Sequence, residues 1–363
     1  MEHGSRKHAV SVDRRHGRGA GSNDTCRFDR LAHVPASDGW DIAENTGQVR
    51  TEVSEERARK IITRNTSPDI SFDRSINPYR GCEHGCIYCF ARPGHAFLGM
   101  SPGLDFETKL VSRPNAAAQL AKELSSRSYV PAPVAIGTNT DAYQPLERDR
   151  GLQRDVLQVL WDFRHPVIIN TKGTLIERDI DILARMAERN LVHVGVSVTT
   201  LDPSLSRRME PRVPSPARRL GTIARLTRSG IPVRVLVSPV IPALTDHEIE
   251  RILEAAKDAG ASAARWIMLR LPLEVADLFR EWLIEHYPDR AARVMARVRE
   301  TQGGADHRPD WHKRMKGEGV HANLIARRFE VGRKRLGLSD GLPELDNTLF
   351  RVPPQAGDQL SLF

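Results

Sequence analysis

Residues 76 to 92 read Ile76-Asn-Pro-Tyr79-Arg-Gly-Cys82-Glu-His-Gly-Cys86-Ile-Tyr-Cys89-Phe-Ala-Arg92, and this stretch holds three of the four cysteines in 363 residues. Scattering four cysteines at random over such a length would give C-x3-C-x2-C roughly 5 times in 10,000, so chance is a poor explanation. A structural zinc site needs four closed ligands, and no second Cys or His pair follows at finger or ribbon spacing, although His84 and His95 are nearby. A disulfide framework fails on count, since three clustered cysteines and distant Cys26 pair awkwardly. A cubane iron-sulfur cluster normally takes four thiolates, so three leave one iron open for another ligand. Gly81 and Gly85 let the backbone fold tightly around such a body.

This motif resembles that of the radical S-adenosylmethionine (radical SAM) enzymes. The resemblance implies a [4Fe-4S] cluster on Cys82, Cys86 and Cys89 whose open iron chelates S-adenosyl-L-methionine. One electron, delivered by a donor such as flavodoxin or ferredoxin, then releases a 5′-deoxyadenosyl radical that abstracts hydrogen from a substrate. Tyr88 matches the family's usual aromatic, placed near the adenine.

At 40 % hydrophobic the chain can bury a large core, and its net charge of +8 favours an anionic partner. No apolar run approaches the roughly 20 residues of a membrane helix. The first segment has Arg and Lys among Gly and Ser instead of a signal peptide's apolar core, so a cytoplasmic location is expected. Residues 1–50 read as a flexible basic arm in which Cys26 is a bystander. Glu52 to Thr63 reads as helix.

Beyond the cysteines, short β-branched runs begin near 134, 167, 192, 233 and 266, separated by amphipathic stretches of helical length. Leu152 to Phe163 and Ile180 to Met186 place their apolar residues on one side; Ser215-Pro216 starts a helix that Gly230 stops. Thr245 to Glu248 reads as a capping box, and Gly260 ends the helix it opens. Strand and helix alternate, which makes the sheet parallel. With one strand before the cysteines there are six units, fewer than a full barrel of eight, so an α/β fold with a partial (β/α)6 TIM-like barrel is expected over 51–285. The radical SAM resemblance implies the same.

Polar residues gather where strands should end: Thr138 to Asp141, Asn170 to Lys172, and Ser197 to Thr200. Such a rim suits a polar ligand. From about residue 70 to 260 these segments resemble the spore photoproduct lyase family, continuing through Met209-Glu210-Pro211, Arg219-Leu220 and Ser238-Pro239-Val240-Ile241. Asn77 to Pro93, with Phe106 to Lys109, looks more specifically like an uncharacterised bacterial subfamily of lyase-like proteins. The match implies that Lys172 reaches the SAM carboxylate, that Ser197 hydrogen-bonds SAM, and that Asn139, Thr140 and Asp141 line its ribose or methionine part. Spore photoproduct lyase draws hydrogen from a cysteine near the end of its second strand. Here that region reads Gly137-Thr138-Asn139, which leaves Tyr143 as the phenolic alternative beside its reading as a packing tyrosine.

Residues 286–340 form a basic extension: nine Lys or Arg and four acids lie between Asp306 and Arg335, with Trp311 and Phe329 among them, a pattern suited to phosphate contact and base stacking. Residues 341–363 read as a flexible tail that finishes Gln359-Leu360-Ser361-Leu362-Phe363. That ending resembles the short peptides by which bacterial DNA polymerases and repair proteins hold the replication sliding clamp. The expectation is therefore a radical SAM enzyme acting on nucleic acid, with DNA repair favoured. Modification of RNA or protein, or a non-catalytic metal-cluster module bound to nucleic acid, are the other readings.

Overall fold

The computed structural model describes residues 9–29 and 47–354. Ten strands are present among them: β1 (Glu52–Glu55), β2 (Ile62–Arg64), β3 (Arg74–Ile76), β4 (Tyr79–Arg80), β5 (Lys109–Ser112), β6 (Val134–Ile136), β7 (Val167–Thr171), β8 (Val192–Ser197), β9 (Val233–Val240) and β10 (Ala263–Met268). Seven form one sheet in the order β10-β9-β8-β7-β6-β3-β2. The six from β3 to β10 in this sheet are all parallel, and β2 adds an antiparallel edge. This is the open six-unit barrel that the alternation predicts, with its last strand beginning at Ala263 rather than near 266.

The sheet has two different faces. Val134, Ile136, Val167, Ile169, Val192, Val194, Val196, Val233, Val235 and Val237 belong to the main apolar core, with helix residues such as Leu157, Ile182 and Ile223. Strand alternation puts Asn170, His193, Gly195, Ser197 and Arg234 on the opposite, concave face. Helix 152–162 buries Leu152, Val156, Leu157 and Leu160 as its spacing requires. Helix 216–228 starts with Pro216 after Ser215, whose Oγ accepts the Arg218 N–H at 3.4 Å.

Residues 52–63 are not helical. Val53 pairs with Leu110 in a three-stranded sheet ordered β1-β5-β4, and Ile62 pairs with Ile76 in the main sheet. Both partners are distant in sequence, and tertiary pairing overrides local helix preference. The capping box at Thr245 also differs. Its Oγ accepts the Ile241 N–H at 2.9 Å, while the Glu248 carboxylate accepts Thr200 Oγ and the Leu201 N–H, joining this turn to the end of β8.

The terminal segments pack more closely than their composition suggests. Ala20, Ser22 and Cys26 are buried, and the Cys26 thiol donates to Ala96 O at 3.2 Å. Arg15 and Arg27 pair with Glu285 and Glu274. At the other end Leu345 is buried and Phe350 packs among Tyr129, Phe163 and His165. The outer edge of β10 receives backbone from the extension: the Ala264 N–H donates to Ser339 O, the Met268 N–H to Met315 O, and the Ser339 N–H to Ser262 O. No helix among the described residues is long and apolar enough to cross a membrane.

Candidate active site

Strand β4 runs directly into the cysteine turn, and the small sheet it shares with β5 fixes the start of that turn. The Cys82 N–H donates to Phe106 O at 2.9 Å, Gly85 N–H to Cys82 O at 3.3 Å, Cys89 N–H to Cys86 O at 3.2 Å, and Ile87 N–H to Met209 O at 3.0 Å. Gly81 and Gly85 both have positive φ, and a Cβ on Gly85 would lie 2.5 Å from Glu107 Oε2. Gln144 holds the turn from the β6 side by accepting the Glu83 N–H at 2.8 Å and donating to Gly81 O at 3.4 Å.

Arg92 binds the turn from within. Its Nε donates to Cys86 O at 3.0 Å, its Nη1 to Pro102 O and Gly103 O, and its Nη2 to Gly85 O and to Glu107 Oε1. Glu107 also accepts the Gly19 and Ala20 N–H groups, each at 2.8 Å. Both side chains are fully buried, so every donor and charge needs the partner it has here.

Cys82 and Cys86 are buried and Cys89 is half-buried. Burial pushes the Cys82 thiol well up, with the Asp141 carboxylate adding to the rise, although the Asp141 N–H points at its sulfur. Burial pushes the Cys86 thiol up too, opposed by Lys172. Among the described residues none of these three thiols donates a hydrogen bond, in contrast to Cys26, and no group of three or more His, Cys, Asp or Glu is arranged to hold a single metal ion. Three unspent sulfurs on one short turn, with cations beside them, fit a polynuclear cluster whose thiolates sit at separate corners.

The rim completes the site. Asp141 Oδ1 accepts from Thr171 Oγ at 2.7 Å and from the Tyr143 N–H at 2.9 Å; Oδ2 accepts the Lys172 N–H at 2.7 Å and lies 3.3 Å from His84 Nδ1. Burial raises its carboxyl pKa, but His84, the Lys172 N–H and Thr171 outweigh that and hold it well below the usual carboxylate range. Lys172 lies 5.8 Å from the Tyr88 ring centroid. Burial opposes its charge, yet Cys86, Glu210 and Asp141 more than compensate, so the ammonium persists. Glu210 is fully buried, accepts from the Tyr88 hydroxyl and from Thr199 Oγ at 2.9 Å, and forms an ion pair with Arg219 at 2.8 Å. Arg219 in turn donates to Ser197 O at 3.1 Å.

A family model described as the Radical SAM superfamily matches residues 76–256, beginning where the cysteine stretch begins. The chain belongs to the radical SAM superfamily. Its relatives include an uncharacterized protein of Mycobacterium tuberculosis strain H37Rv, 36% identical over 289 residues, covering 79% of this chain and 82% of that one. Another, of Methanocaldococcus jannaschii, is 26% identical over 240 residues, covering 66% of this chain and 85% of its own. Among solved structures, spore photoproduct lyase complexed with dinucleoside spore photoproduct has a TM-score of 0.53 at 15% identity, covering 78% of each chain, a likeness of fold. Membership of the radical SAM superfamily implies SAM and an iron-sulfur cluster as cofactors.

The rest of the expected radical SAM site is distributed as follows. Ser197 ends β8 on the concave face, and Thr140 is buried with its Oγ 3.4 Å from Tyr79 O. Asn139 is exposed, held by its N–H on Asn77 Oδ1 at 3.2 Å. Tyr143 lies in the main apolar core, 1% exposed, which is the packing position and not one facing the rim. Phe329 is likewise buried against Trp266. Much of the basic extension is matched internally: Arg308 and Lys313 with Glu318, Arg314 with Asp69, Arg328 with Glu250, and Arg335 with Glu254. Gln359 to Phe363 lie outside the described residues. Arg92, Glu107, Glu210 and Arg219 stand in stretches that carried the resemblance, but only the fold reveals their contacts, such as that of Glu210 with Tyr88 and of Glu107 with Gly19 and Ala20.

Proposed function

We propose that the chain is a radical SAM enzyme that holds a [4Fe-4S] cluster on Cys82, Cys86 and Cys89, binds SAM at the rim, and acts on a nucleic acid, DNA being favoured. The observation that carries this reading is the cysteine turn facing a charged Lys172, with Tyr88 and Glu210 behind it. Cluster and SAM, once bound, would supply a one-electron cleavage that furnishes the hydrogen-abstracting species for the substrate. Lys172 supplies a positive point charge for the SAM carboxylate, and Asp141 fixes the Lys172 backbone. Glu210 holds the Tyr88 hydroxyl from the buried side, which would fix the ring that SAM's adenine would meet. Ser197 offers its hydroxyl at the end of β8, the strand end that Arg219 holds.

For the substrate, the support lies in exposed aromatic rings, the first of them next to Cys89. Phe90 is 45% exposed with the Arg270 guanidinium 4.4 Å from its ring centroid, and Phe28 and Phe97 are exposed with Arg27 over both rings. Exposed rings with cations on them suit unstacked bases. The spore photoproduct lyase likeness in fold agrees with repair of a base lesion. The residues at 359–363 add a proposed contact with the replication sliding clamp, through Leu360, Leu362 and Phe363 as apolar anchors and Gln359 and Ser361 as polar ones. An electron donor such as flavodoxin or ferredoxin would supply the reductant.

Anaerobic incubation of reconstituted protein with SAM, reductant and either ultraviolet-damaged or intact DNA, followed by nucleoside mass spectrometry, tests this. The expected result is 5′-deoxyadenosine that Cys86→Ala abolishes, together with a change confined to damaged DNA. No 5′-deoxyadenosine would sink the enzyme reading, and product without any DNA change would sink the DNA reading. For the tail, deletion of 359–363 should abolish capture of the chain by immobilised sliding clamp; unaltered capture, or none by the full chain, overturns that contact.

A further inference from the structure

Below the rim, the concave face of the partial barrel carries a buried cation that lacks a counter-charge. Asn170, Gly195 and Arg234 are in register across β7, β8 and β9, one row beneath Ser197 and Leu236. Two residues of strand put this row about 7 Å deeper than the Ser197 row. Arg234 is 9% exposed, and its nearest polar partner is Asn170 Oδ1, 3.5 Å from Nη2. Its Nε has no partner among the described residues, and neither does Nε2 of buried His193 on the same face.

The charges around Arg234 are all of one sign. Burial, then Arg265 on β10, pushes its pKa down to about 10. Burial, then Arg234, pushes His193 down to about 4, so that ring is neutral. Arg265 already has Asp340, whereas no carboxylate among the described residues faces Arg234. A guanidinium this deep is normally paired. Space is kept for it as well: a Cβ on Gly195 would meet Asn170 Oδ1 at 2.6 Å, Leu236 Cδ1 at 2.8 Å and Arg234 Nε at 3.3 Å.

From these observations we infer that Arg234, with Asn170 and His193, forms an oxyanion subsite in the floor of the partial barrel, which takes a phosphate or carboxylate of the substrate. Arg234 supplies charge and a planar pair of donors, His193 a neutral ring nitrogen, and Gly195 the clearance. The subsite rests on the barrel alone and stands whether or not the radical chemistry does.

Thermal unfolding of the reconstituted full chain, at constant ionic strength in chloride, reads the subsite without turnover. Inorganic phosphate, thymidine 5′-monophosphate and acetate are the probes, and the larger shift among them separates a phosphate-bearing substrate from a carboxylate-bearing one. At least one probe should raise the wild-type Tm by a few degrees. Arg234→Gln should lose that shift, Asn170→Ala should raise the apparent Kd about tenfold, and Arg185→Gln on the outer surface should retain it. If Arg234→Gln does not fold, Gly195→Ala replaces it, because the added methyl, at 2.6 Å from Asn170 Oδ1 and 3.3 Å from Arg234 Nε, pushes Asn170 aside and crowds the guanidinium while the charge stays. A shift that survives in these variants, or no shift with any probe in the wild type, overturns the inference.

Discussion

The Arg92 guanidinium and the Glu107 carboxylate meet at 2.5 Å with neither side chain exposed, and together they join the cysteine turn, the 102–107 segment and residues 19–20. Removing one partner leaves a buried charge uncompensated, which costs about 3–5 kcal/mol. Glu107→Ala should therefore lower stability by that order in urea unfolding and reduce iron bound per chain. Unaltered stability would show that the pair is not a structural centre.

Gly19 tests the same junction from the arm. A Cβ there would lie 2.0 Å from the Gly85 carbonyl oxygen, and backbone cannot retreat as a flexible side chain can. Gly19→Ala should detach the arm from the turn, raising the rate at which the reconstituted cluster is lost on exposure to air. Alkylation of Cys86 in the metal-free protein should rise in parallel. Equal rates in both proteins would remove residues 18–20 from any part in protecting the site.

Lys172 tests the proposed SAM contact. Its replacement by Met removes a charge worth about 1.5–3 kcal/mol to a bound carboxylate, so KM for SAM should increase about 10- to 100-fold. Iron content should stay level, since the thiols are untouched. Loss of iron with unaltered SAM affinity would place Lys172 with the cluster instead.

His165 gives a pH signature distant from the site. It is fully buried, its Nδ1 lies 2.9 Å from Pro166 O, its Nε2 lies 2.7 Å from the Tyr129 hydroxyl, and burial pushes its pKa down to about 4. The unfolded chain binds a proton near pH 6.5 and the folded ring does not, so this stability is complete above about 6.5 and is lost as pH falls toward 4. One such group accounts for up to about 3 kcal/mol. His165→Gln should flatten the dependence of Tm on pH over this window; an unchanged slope would assign the acid sensitivity elsewhere.

Composition and spacing made the barrel legible because each β-α unit is local: its apolar period, its cap and its stop all lie within about 30 residues. The cysteine turn was legible for the same reason. Residues 52–63 were misread since Val53 and Ile62 find their partners at Leu110 and Ile76, contacts that no local period encodes. Glycine and arginine near the N-terminus read as a mobile arm, whereas Gly19 and Arg18 are used for close approach and for hydrogen bonds to Glu107 O and Thr51. The same limit hid Glu210 and Arg219, whose contacts depend on how helix 203–209 meets β8. Tyr143 shows the converse, a polar residue in the turn after β6 whose ring packs into the core.

The backbone contacts along β10 bear on the molecule's behaviour in solution. An open sheet ends in unpaired N–H and C=O groups, the usual template for strand addition and aggregation. Here Ser339 and Met315 occupy that edge at Ala264 and Met268, while the Arg265 side chain donates to Asp340 O. A chain cut before Met315 would lose both contacts, and should be recovered as sheet-linked aggregate even though all six parallel strands remain in its sequence.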